Sequence, residues 1–204
     1  MELKWVRKIN GMVGQSIPFD MFMDSIARFG HLLFVLYGLW LWLGGREEDR
    51  PRRRQAALIA LAGVGICSAV SFLAGRLWAR PRPFAEDQKI WNFTGHKANA
   101  SFPSNHTMNS AVIAMVLWGM KMPLRFVMAG LAALLAFSRL FAGIHYPSDL
   151  AGGAGIALAV YYGVLQRPSV IKAAGAAAAV ISRAGEAARC LAALCRLIGR
   201  FYGK

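Results

Sequence analysis

The stretch SRLFAGIHYPSD, residues 138–149, joins an apolar run to a group of chemically active side chains. Arg139 follows thirteen uncharged residues, although a guanidinium at membrane depth is costly and is seldom kept without a partner or a task. His145 and Asp149 come next, with a proline between them that is suited to open a helix. In the first turn of such a helix, Asp149 can accept the Nδ1–H of His145 and leave Nε2 free as a nucleophile. A helix-end histidine with a capping aspartate would give the same spacing.

The composition places this stretch in a membrane protein. Hydrophobic residues make up 56% of the 204 residues, and the mean hydropathy is +0.41. The net charge of +14 would suit either nucleic acid or anionic lipid. Because a helix surrounded by hydrocarbon cannot read DNA, we expect a membrane partner and no nucleic acid. The three cysteines form no disulfide framework.

Five apolar runs predict an all-α fold, a polytopic membrane helix bundle. The first two are free of charge for 17 and 21 residues, and the fifth is rich in glycine and alanine, which permits close helix approach. The runs cover residues 29–45, 55–75, 103–120, 126–144 and 150–166.

Amphipathic helices are predicted at both ends of the chain. In residues 1–29, Asp20, Asp24 and Arg28 form one polar stripe at helical spacing, which indicates a helix in the membrane interface. Residues 167–204 read as a basic helix or tail on anionic lipid, with a sixth span as the alternative. The polar face of this tail would include Arg183, Glu186, Arg189, Arg196 and Arg200. The catalytic domain would then be residues 1–166.

The alternation of spans brings three charged motifs to one face of the membrane. These motifs are residues 76–83, 104–106 and 139–149. Ser104 stands at an N-cap position, so the N–H groups of Asn105 and His106 would point outward from a helix N-terminus and bind an anion. Arg82 and Arg139 each offer forked donors that match a phosphate.

This set of residues predicts phosphoryl transfer through histidine. His145 would attack phosphorus and form a phosphohistidine, while His106 would protonate the leaving oxygen and later activate water. Asp149 is the only acidic residue within the three motifs, so no metal site and no cofactor are predicted.

The motifs resemble those of the acid phosphatase/vanadium haloperoxidase superfamily, the type 2 phosphatidic acid phosphatases. That pattern is K-x6-RP, then PSGH, then SR-x5-H-x3-D, and the third motif is complete here. Asn105 replaces the usual glycine, and asparagine tolerates unusual backbone dihedrals. The family lysine would fall at Gly75, which cannot replace it. Arg76 and Arg80 are the spare cations nearby, and both are predicted to contact substrate.

Within this superfamily, the chain is similar to the bacitracin-resistance type of undecaprenyl-diphosphatases. The likeness includes the short length, the PRPF turn at 81–84 and the stretch ASFPSNHT at 100–107, and many members also lack the first lysine. It implies an enzyme that removes the terminal phosphate of undecaprenyl diphosphate and so recycles the carrier lipid for cell-wall synthesis. A phosphatidylglycerophosphate or phosphatidate phosphatase would use the same residues. A non-catalytic anionic-lipid binder or transporter would need the arginines but not the histidines at these spacings.

The distribution of basic residues predicts the orientation. With five spans, the side that holds the tail carries fourteen Lys and Arg residues and the other side carries ten. Since basic residues favour the cytoplasm, we expect a multi-pass protein of the bacterial inner membrane whose active site faces the extracytoplasmic side.

Overall fold

The computed structural model describes the backbone of residues 1–202 and the side chains of residues 1–185 and 192. Residues 1–202 are helical or irregular, with no β-strand, which confirms the all-α fold. A π-helical segment, Tyr161–Leu165, continues the seventh helix. The α-helices are α1 Glu2–Asn10, α2 Ile17–Leu43, α3 Arg50–Leu77, α4 Pro83–Glu86, α5 Asn105–Gly119, α6 Arg125–Phe141, α7 Pro147–Val160 and α8 Pro168–Tyr202.

The five apolar runs coincide with α2, α3, α5, α6 and α7. Three of the described helices are long and apolar enough to cross a membrane, namely α2, α3 and α7 together with its π-helical continuation. The helices α5 and α6 are shorter, with 15 and 17 residues. Because α5 contacts α2, α3, α6 and α7, it is the central helix of the bundle.

The N-terminal region differs from the single amphipathic helix predicted over residues 1–29. A turn with Gly14 at φ +89° separates α1 from α2, and α2 then runs unbroken through both the polar stripe and the first apolar run. The charges of the stripe have local partners. Arg28 Nε donates to Asp24 Oδ1 at 2.7 Å, and Asp20 Oδ2 accepts the Gly14 N–H at 2.8 Å. Since these charges are paired and no proline follows the first turn of α2, nothing interrupts the helix.

Two apolar clusters hold α5 from opposite sides. One includes Phe34 of α2, Leu117 of α5 and Leu135 of α6. The other includes Ile59 of α3 and Val112 of α5, together with residues of α7. The side chains of Leu117, Leu135 and Val112 are essentially unexposed. This packing fixes α5, and therefore the polar residues at its N-terminus.

A glycine allows α7 to approach the start of α5 closely. A Cβ atom at Gly153 would lie 3.0 Å from the Ser104 carbonyl oxygen and 3.5 Å from the Met108 nitrogen. At Gly155, two residues further along α7, a Cβ atom would meet open space. The close approach predicted from the glycine content of this run is therefore made at Gly153.

The C-terminal helix α8 packs against the beginning of α3. Gln55 Nε2 donates to the Ile171 carbonyl at 2.8 Å, and Arg54 Nη1 donates to Ser182 Oγ at 3.1 Å. Two positions eleven residues apart in α8 thus contact adjacent residues of α3, so α8 packs against the N-terminal part of that helix. The polar face predicted from Glu186 to Arg200 lies outside the described side chains.

Candidate active site

The three charged motifs meet at one end of the bundle. The segment after α3 joins the segment before α5, where the Ser101 N–H donates to the Arg80 carbonyl at 2.8 Å. The starts of α5 and α7 join where the Ser104 N–H donates to the Asp149 carbonyl at 3.1 Å. These backbone hydrogen bonds hold residues that are far apart in sequence in one place.

A glycine turn at the end of α6 sets the position of His145. Gly143 has φ +68°, and the Ile144 N–H donates back to the Arg139 carbonyl at 3.2 Å, as in a helix that ends in a left-handed turn. A Cβ atom at Gly143 would lie 2.3 Å from the Ile90 side chain, so only glycine fits. The fourth run was predicted to stay helical to about Ile144, but the helix ends at Phe141 because of this turn.

The Asp149 carboxylate lies next to three groups. Its Oδ2 atom accepts the Tyr146 N–H at 2.8 Å and lies 3.4 Å from His145 Nδ1, and its Oδ1 atom accepts Arg80 Nη1 at 2.8 Å. The 3.4 Å contact is longer than a charge-assisted hydrogen bond. Accordingly, His145 Nδ1 has no hydrogen-bond partner among the described residues. Asp149 therefore caps α7 and also faces the histidine at 3.4 Å, without a hydrogen bond to it.

The other nitrogen of His145 is not free, contrary to the expectation from sequence. His145 Nε2 lies 3.2 Å from Arg82 Nη1. Burial, with the nearby charges of Arg82 and Arg139, lowers the pKa of His145 to about 4, although Asp149 acts in the opposite direction. The imidazole is therefore neutral at neutral pH, and its Nε2 lone pair faces a guanidinium N–H.

Protein acceptors anchor the buried Arg82 side chain. Its Nη1 and Nη2 groups donate to the carbonyls of Ile144 at 2.8 Å and Ala100 at 3.1 Å, and its Nε donates to Asn99 Oδ1 at 2.9 Å. Burial lowers the pKa of Arg82 to about 10, and the guanidinium stays charged at neutral pH. The structure thus holds one positive charge beside the Nε2 atom of His145.

Arg139 supplies a second buried charge. Its side chain is 3% exposed and Nη2 donates to the Ala27 carbonyl of α2. Its Nε–H has no partner among the described residues. A buried donor without a partner is rare in native proteins, and an anion bound at this position would satisfy it.

The N-terminus of α5 lies beside these arginines. Ser104 occupies the N-cap position and is fully buried. Its hydroxyl accepts a hydrogen bond from Thr107 Oγ1 at 3.0 Å and caps no backbone N–H group. The first N–H groups of a helix have no intrahelical partner, so those of Asn105 and His106 remain available to an anion.

All four histidines of the chain gather around this helix end. The rings of His31 and His106 pack edge to face, with their centroids 5.7 Å apart. His96 and His145 are also close enough to His106 to act on it electrostatically, as is Arg139. The sequence predicted roles for His106 and His145 and gave none to His31.

Two predicted substrate ligands are used differently in the structure. Arg80 donates to Ser148 Oγ at 2.6 Å, to Asp149 Oδ1 at 2.8 Å and to Glu2 Oε2 at 2.7 Å, so its donors are already engaged by protein groups. Arg76 is exposed and its guanidinium lies over the Phe72 ring at 4.4 Å. Arg80 thus holds the Asp149 carboxylate.

Helix α1 contributes residues that the sequence did not indicate. Glu2 Oε1 accepts the Ser148 N–H at 2.9 Å, and Glu2 Oε2 accepts Ser148 Oγ at 2.9 Å as well as Arg80. Asn10 Nδ2 donates to the Phe141 carbonyl at 2.9 Å, next to the turn that carries His145. No local sequence signal could have found these contacts, because Glu2 and Ser148 are 146 residues apart.

The acidic residues of the loop after α3 are engaged with neighbouring side chains. Glu86 accepts the Tyr146 hydroxyl at 2.6 Å, and Asp87 Oδ2 accepts Arg7 Nε at 2.7 Å. Among the described residues, no group of three His, Cys, Asp or Glu side chains lies close enough together to hold a metal ion. Arg82 and Arg139 supply buried positive charge in this region.

An apolar cavity of about 550 Å³ leads away from the site between α2, α3 and α5. Most of its lining is apolar, with Phe34, Leu61 and Leu117 among the residues. Its polar lining includes His31, Asn105, His106 and Asn109. Since His106 belongs to both, the cavity and the histidine and arginine cluster are continuous.

A fully helical membrane bundle with histidines, arginines and a helix N-terminus at one end defines a class of membrane phosphatase. The chain belongs to the PAP2 superfamily, which it matches over residues 56–171. The sequence-based resemblance to that superfamily is therefore confirmed.

Several known proteins are similar to this chain. It is 29% identical over 162 residues to the undecaprenyl-diphosphatase BcrC of Bacillus subtilis (strain 168), covering 78% of this chain and 80% of that protein. It is 33% identical over 113 residues to the decaprenylphosphoryl-5-phosphoribose phosphatase of Mycobacterium tuberculosis (strain ATCC 25618 / H37Rv), covering 54% and 60%. The crystal structure of Aquifex aeolicus LpxE has the same fold, with a TM-score of 0.65 at 24% identity, covering 81% of this chain and 95% of that one.

Proposed function

We propose that this membrane phosphatase removes the terminal phosphate of undecaprenyl diphosphate through a phosphohistidine intermediate. The observation that carries the proposal is the position of His145. Its Nδ1 atom lies 3.4 Å from Asp149 and its Nε2 atom lies 3.2 Å from Arg82, and the apolar cavity opens beside it at His106. A neutral imidazole with one nitrogen beside a carboxylate is suited to attack phosphorus with the other.

In the first step, His145 Nε2 attacks the terminal phosphorus and forms an N–P bond. The bond from this phosphorus to the bridging oxygen breaks, and His106 gives its proton to that oxygen, which leaves as the lipid monophosphate. In the second step, His106 takes a proton from water as the water oxygen attacks phosphorus. The N–P bond then breaks and inorganic phosphate leaves.

The two buried arginines would stabilise the phosphoryl group during both steps. In the structure, one Arg82 N–H faces Nε2. A phosphate oxygen is a stronger, charged acceptor, so this N–H turns toward the substrate and releases the Nε2 lone pair for attack. The unpartnered Nε–H of Arg139 binds another phosphate oxygen, and the start of α5 at Asn105 and His106 binds a third. Ser104, beneath them, holds the helix end against α7.

The choice of a polyprenyl substrate rests on the cavity and on the relatives. The apolar lining between α2, α3 and α5 suits a hydrocarbon chain that stays in the membrane while its headgroup reaches His106. The names of two similar proteins, an undecaprenyl-diphosphatase and a decaprenylphosphoryl-5-phosphoribose phosphatase, both refer to polyprenyl lipids. The proposal includes an extracytoplasmic active site in the bacterial inner membrane, where the released carrier lipid returns to cell-wall synthesis.

Phosphate release from a panel of lipids tests this proposal. The purified protein is given undecaprenyl diphosphate, phosphatidylglycerophosphate and phosphatidate at equal surface concentration in mixed micelles. We expect the highest kcat/KM with undecaprenyl diphosphate, and no release by a His145→Ala variant. A clear preference for either glycerol-based lipid would reject the polyprenyl substrate and retain the phosphatase.

A further inference from the structure

His31 has no part in the two chemical steps, yet it packs against a residue that does. It lies on α2, and its ring meets the His106 ring edge to face with the centroids 5.7 Å apart. His31 also lines the apolar cavity together with His106. It therefore lies where the reacting centre opens into the space that suits the lipid chain.

A diphosphate substrate needs two phosphate positions, and the proposed function fixes one of them. The terminal phosphorus must lie at His145 Nε2, and the bridging oxygen must lie at His106. The retained phosphate is bonded to that bridging oxygen on one side and to the lipid chain on the other. It must consequently lie where the cavity meets His106, and His31 is at that place.

Asn109 adds an independent observation at the same place. It lies one turn after His106 on α5 and lines the same cavity. Its Nδ2 atom is 3.1 Å from Ser68 Oγ, while its Oδ1 atom is buried and has no partner among the described residues. If the amide is turned over, the Ser68 hydroxyl donates to Oδ1 and Nδ2 takes the buried position that has no partner. A buried amide N–H without a partner is costly, and a phosphate oxygen bound beside Asn109 would accept it.

We infer that His31 and Asn109 form a subsite for the phosphate that remains on the lipid, and that this subsite selects diphosphates over monoesters. The inference rests on the proposed function. A monoester has a single phosphorus, which is held at His145. Its ester oxygen, at His106, is bonded directly to a carbon atom of the lipid, with no second phosphate between them. Only a diphosphate presents oxygen atoms to His31 and Asn109.

Paired inhibitors measure this selectivity. One is a farnesyl bisphosphonate, in which carbon links the two phosphorus atoms and prevents hydrolysis, and the other is a farnesyl monophosphonate. We expect His31→Ala to raise the inhibition constant of the bisphosphonate about tenfold or more, because a hydrogen bond to a charged group is lost. The monophosphonate constant should change by less than about twofold. Asn109→Ala should act in the same direction, and His31→Lys, which keeps a donor, should restore most of the bisphosphonate affinity.

Leu33→Ala is the matched control, because Leu33 is an exposed residue of α2 that does not line the cavity. It should leave both constants unchanged. Equal losses for the two inhibitors in His31→Ala would overturn the inference, since His31 would then act only through His106. Unaltered kcat/KM for farnesyl diphosphate in both His31→Ala and Asn109→Ala would overturn it as well. If the unaltered protein hydrolyses no prenyl diphosphate, the proposed function fails first and this inference fails with it.

Discussion

At the residue scale, the contact between His145 and Arg82 has two consequences. A histidine that is to attack phosphorus must be unprotonated, and burial beside two guanidinium groups keeps it so. The same contact places an N–H group of Arg82 3.2 Å from the nucleophilic nitrogen, within reach of any phosphate that approaches it. In the proposed mechanism, Arg82 therefore helps burial to keep His145 neutral and lies ready to bind the phosphate that His145 attacks.

The protonation of His145 can be measured directly. Its pKa is lowered from the ordinary 6.5 to about 4, so the folded protein should not protonate this ring at pH 5.5. The unfolded chain binds the proton below about pH 6.5, so the contribution of His145 to stability falls as the pH falls from there toward 4. Histidine-labelled protein, with the His145 signal assigned by its loss in His145→Ala, should show an NMR titration midpoint below 5. A midpoint near 6.5 would show that the ring is solvated and that Arg82 does not control it.

From the sequence, the proposed catalytic residues could be picked out, but few of their contacts could be predicted. His145 and Asp149 were predictable because four residues at the start of a helix bring two side chains together. The engagement of Nε2 by Arg82 was not, because it depends on how the segment after α3 folds over the turn at Gly143. Arg80 and Arg76 were placed near the site by proximity in sequence. The orientation of the Arg80 side chain is set by residues far away in the sequence, chiefly Glu2, which accepts a hydrogen bond from it.

At the element scale, α1 holds the catalytic end of α7. Glu2 accepts two hydrogen bonds from Ser148 and one from Arg80, and Arg80 in turn holds Asp149. We predict that Glu2→Ala lowers kcat by about three- to tenfold with little change in KM, because one or two hydrogen bonds that position Asp149 are weakened.

The control for this prediction is Lys8→Gln, an exposed position on the same helix. Glu2→Asp, which keeps a carboxylate, should recover part of the rate. The kinetic constants are measured by phosphate release in mixed micelles. A Glu2→Ala variant with a normal kcat would show that α1 only covers the protein surface.

The approach of α7 to α5 gives a second prediction at this scale. Gly153→Val should reduce activity at least tenfold, because its Cβ would lie 3.0 Å from the Ser104 carbonyl and the branches of valine would separate the two helix ends. Gly155→Val, with open space at its Cβ, should keep normal activity and normal thermal stability. Thermal unfolding and phosphate release are measured on both variants. Equal behaviour of the two would mean that the Ser104–Asp149 contact does not fix the site.

At the scale of the whole molecule, hydropathy predicted the number and order of the bundle helices because lipid requires long apolar segments. Besides the end of α6, it placed the start of the first long helix wrongly. The polar stripe with Asp24 and Arg28 was read as a separate helix, but the pairing of its charges lets the stripe continue directly into the apolar part of α2. The docking of α1 and the packing of α8 against α3 depend on tertiary contacts, which hydrophobic periodicity does not reveal.

The sidedness of the whole molecule can be tested by cysteine labelling. In a background with Cys67, Cys190 and Cys195 replaced, a single cysteine at Lys97 should react in intact cells with a membrane-impermeant maleimide. A cysteine at Arg52 should react only after the cells are opened. Arg52 lies in the first turn of α3, whereas Lys97 lies in the segment that follows the other end of α3 and leads to α5. If the cysteine at position 52 reacts in intact cells and the one at position 97 does not, the topology is the reverse of the predicted one. The proposed recycling on the outer face would then be rejected.

The most direct test of the central claim is to trap the phosphorylated enzyme. The protein is mixed with undecaprenyl diphosphate labelled with ³²P in its terminal phosphate and is quenched in alkali, in which phosphohistidine survives. We predict a labelled protein that loses its label in acid, with the phosphate on the peptide that contains His145, and no label in His145→Ala. Label on another residue, or normal phosphate release by His145→Ala, would contradict the account.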